Sequence, residues 1–307
     1  MGNPYDGIIL VDKEEGKTSF DVVKKVRRIL MVKKVGHAGT LDPFATGLLI
    51  VLLGQGTKLS DYLTAEEKVY QATMRLGVVT DTQDLTGHVV KTSEVPKFGL
   101  EFIKRVAHEF VGEIEQVPPS FSAIHYKGKR AYMLARKGIK IELQKRKVRI
   151  HSLEIVSVDL PYVTIEVTCS GGTYVRSLAA DLGKGLGPGA HLRSLRRLAI
   201  GPFRVTDALN VENIEAFLRD HIFQEKIITL CEALPHMTEA QVDTSMAQRI
   251  RNGYQPEWGE TIEGADLDGF FEGYIKLVKG GELVAIVKAV HSSGDEGGWL
   301  NIMRVFN

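Results

Sequence analysis

Cysteine is nearly absent: Cys169 and Cys231 are the two in 307 residues, and they form no Cys-x-x-Cys. That excludes a disulfide framework and a zinc knuckle, and it is the usage expected of a chain kept in a reducing cytoplasm. Long apolar runs are absent too. The longest falls far short of the roughly 20 residues that span a bilayer, so no membrane partner is expected. The opening residues MGNPYDGIILVDKEE carry no basic stretch and no cleavage site, which gives no expectation of a secretory signal. No segment is of low complexity and none repeats. Several catalytic signatures are also missing. There is no Gly-x-Ser-x-Gly elbow for a hydrolase serine. There is no His-Glu-x-x-His, and no third ligand follows His37 and Asp42 at a recognisable spacing, so a metal is not expected. The Gly16-Lys17-Thr18 run before a helix imitates a phosphate loop, but the glycine such a loop needs five residues earlier is Val11. A capped helix start is the better reading, with Lys17 left available to a phosphate.

Net charge is only +1, but the average conceals a division. Residues 127–149 hold ten lysines and arginines against one acid, Glu142, and residues 176–204 hold six against Asp181. Residues 257–307 reverse the sign, with nine acids and four basic residues. One basic run is ordinary solvated surface. Two separated runs with an acidic tail point to a polyanion held on one face.

GIILVD (7–12) and LLIVLL (48–53) read as buried strands and VYQATMRLG (69–77) as a half-buried one. KVRIHSLEIVSVD (147–159) pairs with YVTIEVTCS (162–170) around Pro161. KTSFDVVKKVRRIL (17–30) spaces Phe20, Val22, Val23, Val26, Ile29 and Leu30 as the apolar face of a helix capped by Thr18 or Ser19. Further helices are expected over 98–112, 211–218 and, after a glycine turn, within 170–187; residues 33–47 and 81–88 read as loops. Strands and helices mix without a βαβ period. The expectation is a mixed-sheet α/β (α+β) catalytic domain over 1–235. After Pro235 the chain turns acidic and glycine-rich, and 236–307 reads as a small all-β domain.

GHAGTLDPFATGLL (36–49) sets one carboxylate, Asp42, at the edge of the chain's own core. Pro43 pushes its backbone toward extended geometry, and glycines on both sides admit another segment. A carboxylate in such a place needs a partner. A guanidinium from elsewhere would grip it through two hydrogen bonds and keep it ionised, hence nucleophilic. The other reading is an aspartate that makes an Asx turn. Spacing alone favours the Asx turn.

Six segments, in order over about residues 7–210, carry a resemblance. GHAGTLDPFATGLLIVLLGQGTK (36–58) resembles the nucleophile motif of the TruB family of bacterial tRNA pseudouridine-55 synthases. KEEGKTSFDVVKKVRR (13–28) is similar to the family's Lys-Pro-x-Gly-x-Thr-Ser helix start, with Glu14 where the family usually carries proline. VYQATMRLGVVTDTQDLTGHVV (69–90) resembles its tyrosine strand and Asp-Thr-x-Asp loop. QVPPSFSAIHYKGKRAYMLARKGI (116–139) resembles its Pro-Pro-x-Phe/Tyr-Ser-Ala segment and basic insert. SGGTYVRSLAADLG (170–183) and GAHLRSLRRLAIGPF (189–203) complete the set. The tail from about 236 resembles the small β-barrel PUA domain, which binds RNA.

The resemblance implies an isomerase that converts uridine 55 in the T-loop of tRNA to pseudouridine on a flipped-out base. It implies no cofactor, no metal, tRNA as partner, no required protein partner and a monomer. It makes Asp42 the nucleophile and Arg176 its partner. Tyr70 stacks on the uracil and is a candidate proton carrier. Tyr174 and Leu195 line the pocket, and His37 enters the RNA loop. Lys58, Asp84, Lys129 and Arg130 are expected to contact RNA. Tyr174 and Arg176 are two apart, so a strand end would turn both to one pocket. The basic insert, about 125–150, is expected to close over the RNA, its helix bracketed by Gly128 and Gly138. Three other classes compete. An RNA-binding or folding protein would need the same residues without chemistry, and Asp42→Asn would leave it intact. A guide-RNA-directed relative, disfavoured by the short N-terminus, would be inactive on bare tRNA. An NTPase would bind ATP.

Overall fold

The computed structural model describes residues 4–122, 124–126, 128–135, 137–139, 141–257, 273–290 and 299–307. Lys127, Arg136 and Lys140 of the basic insert and much of the acidic tail lie outside the described residues. Strands β1 (Gly7–Lys13), β2 (Val35–Ala38), β3 (Thr46–Leu53), β4 (Lys68–Leu76), β5 (Val78–Thr80), β6 (Val89–Thr92), β7 (Gly112–Gln116), β8 (His125–Tyr126), β9 (Lys129–Arg130), β10 (Arg146–Asp159), β11 (Tyr162–Cys169), β12 (Ala190–Ile200), β13 (Phe203–Arg204) and β14 (Leu209–Asn210) are interspersed with helices. The helices are α1 (Ser19–Leu30), α2 (Ser60–Ala65), α3 (Leu100–His108), α4 (Ala131–Ala135), α5 (Val175–Leu186) and α6 (Ile214–Arg219). Ten strands form one sheet in the order β14-β1-β3-β12-β4-β11-β10-β7, with β2 on β3 and β13 on β12. β1 with β14 and β3 with β12 run parallel, and β12, β4, β11, β10 and β7 run antiparallel. This is a mixed sheet, as the irregular order of elements predicts.

The apolar run 48–53 is uninterrupted because both of its faces are covered. Leu48, Ile50 and Leu52 pack with Ile8 and Leu10, while Leu49, Val51 and Leu53 pack with Ile9, Val11 and Val22, Val23 and Val26 of α1. Alternate side chains of a strand point to opposite faces, so a strand between two layers must be apolar at every position. Each such side chain contributes about 1.5–3 kcal/mol of burial. Thr18 caps α1, accepting from Asp21 N while Asp21 reaches back to the Thr18 N–H. Phe20 is not part of the buried face. It is 52% exposed, with Lys24 over its ring, because Ser19 takes the inward position in that turn.

Other expectations shift. Residues 33–47 contain β2, since pairing with β3 overrides the loop composition there. The helix expected over 98–112 stops at His108, and Gly112, at φ 111°, opens β7. Residues 211–218 split into a 3-10 turn followed by α6. The last part is not all-β. Strands β15 (Thr238–Gln241), β16 (Gly273–Lys279), β17 (Glu282–Val290) and β18 (Trp299–Val305) form a second sheet in that order, but helix α7 (Thr244–Arg251) lies between the first two in sequence. Its Met246, Ala247 and Ile250 pack on Ile275, Leu277 and Val287. Asp243 caps it through Met246 N at 2.6 Å. Val278, Ile286 and Phe306 of this part share an apolar cluster with Ile8, Leu10 and Leu52. Among the described residues no helix is long and apolar enough to cross a membrane.

Candidate active site

Asp42 sits on the turn between β2 and β3, and the chain holds that turn from both sides. Ser19, 2% exposed in the first turn of α1, brackets one residue: its Oγ donates to Leu41 O at 3.2 Å and accepts from Leu41 N at 2.9 Å. On the other side Pro43 O accepts from Gly16 N at 2.8 Å and from Lys13 Nζ at 3.3 Å. The Gly-Lys-Thr-Ser run is thus a clamp on the Asp42 turn. Glu14, at the position where proline was expected, accepts from Asn210 Nδ2 at 3.1 Å. Ser19→Ala leaves both groups of the buried Leu41 peptide unbonded. It is expected to lower stability by about 1–3 kcal/mol and to slow turnover without changing RNA affinity, which urea melts and single-turnover assays would read separately.

The Asp42 side chain turns to Arg176 and makes no Asx turn. Arg176 Nε lies 2.9 Å from Asp42 Oδ2 and Nη2 lies 3.1 Å from Oδ1, a two-pronged pair in which Arg176 is 5% exposed and Asp42 30%. The same guanidinium donates through Nη1 to Asp84 Oδ2 (3.3 Å) and Thr82 O (3.2 Å), and through Nη2 to Phe121 O (2.9 Å). One side chain thereby gathers three segments: the Asp42 turn, the 82–84 loop and the 116–122 stretch. Arg176 does not stand at a strand end. β11 stops at Cys169, and Tyr174 is the N-cap of α5, with Arg176 in its first turn. Tyr174 keeps extended backbone, φ −101° and ψ 105°, so the change from extended to helical chain between the two residues sets their directions.

The other expected site residues divide. Tyr70 on β4 and Leu195 on β12 are 8% and 7% exposed and share an apolar cluster with Leu41, Phe44 and Ala45, which flank Asp42. His37 is half-buried on β2, and its Nδ1 has no hydrogen-bond partner among the described residues. Asp84, expected at an RNA surface, is 4% exposed under Arg176 and also accepts from Thr82 Oγ, Thr86 N and Thr86 Oγ. Lys58 turns its ammonium to Gln55 Oε1 (2.9 Å) and Val305 O (2.6 Å) and over the Phe306 ring, so it ties the last strand down. Lys129 and Arg130 are exposed on β9. Gly128 and Gly138, both at positive φ, stand on either side of α4.

Two buried polar residues escape sequence reasoning. Gln116 is 1% exposed; its Oε1 accepts from Tyr174 N at 3.0 Å and its Nε2 donates to Tyr174 O at 3.3 Å. Ser177 donates to Val117 O at 2.8 Å. Ser177 also lies 3.2 Å from Gln83 Oε1, but both residues reach chiefly to backbone groups, which no residue elsewhere in the sequence announces.

The electrostatics is that of a carboxylate in a dry wall. Burial pushes the Asp42 carboxyl above the ordinary carboxylate range; Arg176 opposes the shift, Asp84 adds to it, and Lys13 opposes it. Lys13 is 1% exposed, bonded to Glu14 O and Lys17 O at 2.9 and 2.7 Å, and burial brings its ammonium down to about 8. Burial also raises the phenols of Tyr70 and Tyr174. Among the described residues no three histidine, cysteine or acidic side chains come together in a way that could hold a metal.

A family model for the TruB family pseudouridylate synthase N-terminal domain matches residues 27–175, and one for the tRNA pseudouridylate synthase B C-terminal domain matches 176–240. The chain is 41% identical to a tRNA pseudouridine synthase B of Geobacter sulfurreducens, over 98% of this chain and 100% of the relative. It is 45% identical to one of Clostridium kluyveri, over 81% and 84%. A chain in the crystal structure of a Cbf5-Nop10-Gar1 complex superposes with a TM-score of 0.76 at 26% identity, over 98% of this chain and 85% of that one. The fold and these matches define a pseudouridine synthase, an isomerase. Within that class the chain belongs to the TruB family.

Proposed function

We propose that this chain isomerises uridine 55 in the T-loop of tRNA to pseudouridine, with Asp42 as the nucleophile. The observation that carries the reading is the Asp42–Arg176 pair: a carboxylate gripped at both oxygens, yet 30% open, beside Tyr70 and Leu195. Relatives named tRNA pseudouridine synthase B supply the substrate class. The reaction breaks the N1–C1′ bond, turns the base and rejoins it through C5. Nothing is added or oxidised, so no cofactor is called for. A covalent carboxylate divides one hard step into two. The target base must leave its stack, and Tyr70 and Tyr174 offer it aromatic faces. Tyr70 carries the protons, Leu195 closes the wall and His37 takes the room the flipped base leaves. Lys129 and Arg130 contact phosphate, which makes binding salt-sensitive. Residues 1–235 act as the catalytic domain and 236–307 as an RNA-binding PUA-like domain. The chain works as a monomer in the cytoplasm without a protein partner.

Attack requires ionised Asp42, so activity falls as pH drops through its raised pKa. Lys13 is one of two cations that hold that pKa down. Lys13→Met is therefore expected to move the acidic limb of the pH–rate profile to higher pH, as single-turnover rates across the acidic range would show.

The test of the whole reading uses the purified chain and a bare tRNA transcript, with pseudouridine mapped by carbodiimide adducts and primer extension. One stop, immediately 3′ of position 55, is expected. The likeness to Cbf5 favours a second reading, a chain that needs a complex to act. That reading predicts no stop on bare transcript and gains support from such a result.

A further inference from the structure

Arg197 heads the fully buried side chains by size, at 1% exposure, and among the described residues no carboxylate is bonded to it. A buried cation without a counterion is expensive unless its N–H groups are all engaged. Its Nε donates to Leu48 O at 2.6 Å and its Nη2 to Gly39 O at 3.0 Å. Those carbonyls stand before and after the Asp42 turn. The Tyr70 side chain lies beside the same guanidinium, whose charge acts on its hydroxyl. The pairing of strands dictates this: Arg197 lies opposite Tyr70 across β4 and β12, where facing side chains share one side of the sheet. On its other flank β12 meets β3, with Arg197 opposite Gly47. Gly47 has φ 100° and no room for a Cβ against the Arg197 backbone, so only glycine lets the two strands close on each other here.

We infer that Arg197 is a positioning residue for the chemistry: its guanidinium fixes the Tyr70 oxygen beside the Asp42 turn and stabilises the negative charge that oxygen carries while protons move. The inference rests on the proposed role of Tyr70 as proton carrier. Compared with uridine, pseudouridine has lost the hydrogen on C5 and gained one on N1. Once the C5–C1′ bond has formed, C5 holds both hydrogen and sugar, and N1 holds a double bond to C6. Tyr70 gives its phenol proton to N1, breaking O–H and forming N–H, and becomes phenolate. The phenolate then takes the proton from C5. The C5–H electron pair becomes the C5=C6 bond, and the C6=N1 pair returns to nitrogen. The phenol is regenerated and no other reagent is consumed. A buried phenol resists the first step. Of the groups around it, Cys169 and Asp42 disfavour the phenolate, and Arg197 favours it. Lysine cannot replace arginine here, because one ammonium cannot hold Leu48 O and Gly39 O and still present charge to the phenol as a planar fork does.

The test compares single-turnover pseudouridine formation on tRNA transcripts made with ordinary and 5-deuterated uridine. Arg197→Lys is expected to slow the reaction roughly 10- to 100-fold and to raise the deuterium isotope effect above the wild-type value. A ring-fluorinated, more acidic tyrosine at position 70 is expected to restore much of the rate in that variant. Arg197→Gln is carried alongside, and whichever variant gives a cooperative melt is used. A slowed variant with the wild-type isotope effect and no response to fluorination would make Arg197 a structural brace and overturn the inference. So would an unchanged rate. Tyr70→Phe separates the layers: loss of C5 deuterium at the wild-type rate from that variant would remove the proton-carrier role itself, whatever Arg197 does.

Discussion

Arg176→Met should be the most damaging single substitution in the site, lowering stability by about 3–5 kcal/mol at neutral pH and reducing turnover to background. The guanidinium meets two carboxylates, Asp42 and Asp84, and two carbonyls, Thr82 O and Phe121 O. Removing it leaves two nearby acids with only Lys13 to oppose the charge on Asp42, and it unties three segments at once. Burial and the neighbouring charge of Asp84 then push the Asp42 carboxyl still higher. A group whose folded-state pKa lies above its unfolded value makes the fold relatively more stable as pH falls through that pKa. The variant therefore recovers on acidification, and its deficit against wild type narrows as pH falls. Urea denaturation at neutral and at acidic pH checks this; a deficit independent of pH would contradict it. Arg176→Lys should recover part of the stability, since one ammonium restores charge but not the fork.

Asp42→Asn should behave in the opposite way: a chain that folds, binds tRNA and does nothing to it. Burial already raises the Asp42 carboxyl, which means that the ionised side chain sits less comfortably in the fold than in water. The neutral isostere removes that cost and leaves Arg176 paired with Asp84. The thermal midpoint is expected to stay within a few degrees of wild type or to rise, as is usual when a site built for chemistry is neutralised. Turnover is expected to drop at least about 10³-fold, since no neighbouring group takes over a nucleophile's role. Binding, assigned in the proposal to basic residues elsewhere, should be unchanged in filter retention at matched salt. A midpoint many degrees lower would mean that Asp42 chiefly braces Arg176.

These outcomes depend on residues of unequal legibility. The buried strand β3 and helix α1 could be read directly, because apolar period and a capping residue are local signals. The Asp42–Arg176 pair joins residues far apart in the chain, yet half of it was legible: a carboxylate at a core edge calls for a guanidinium, and the family resemblance says which one. What could not be read is the support. Ser19, Gln116 and Arg197 all act through backbone amides or carbonyls, and every residue carries those, so no pattern of residue types marks the partner. The same limit explains Lys58 and Asp84. A lysine and an aspartate in an RNA-binding chain read as surface groups, and only packing shows one tied to the last strand and the other sealed under Arg176. Helix α7 was missed because its eight residues stand among glycine-rich, acidic surroundings and its apolar face covers a sheet that forms from distant strands.

The most direct test of the central claim uses a tRNA transcript tritiated at uridine C5, incubated with the wild-type chain and with Asp42→Asn. Isomerisation breaks the C5–H bond, so tritium reaches the solvent only if the base has been turned and rejoined. Release by the wild type and none by the variant, with equal binding by both, is the result expected. Release by both would show that the carboxylate of Asp42 does not open the glycosidic bond, and the account given for this site would fall.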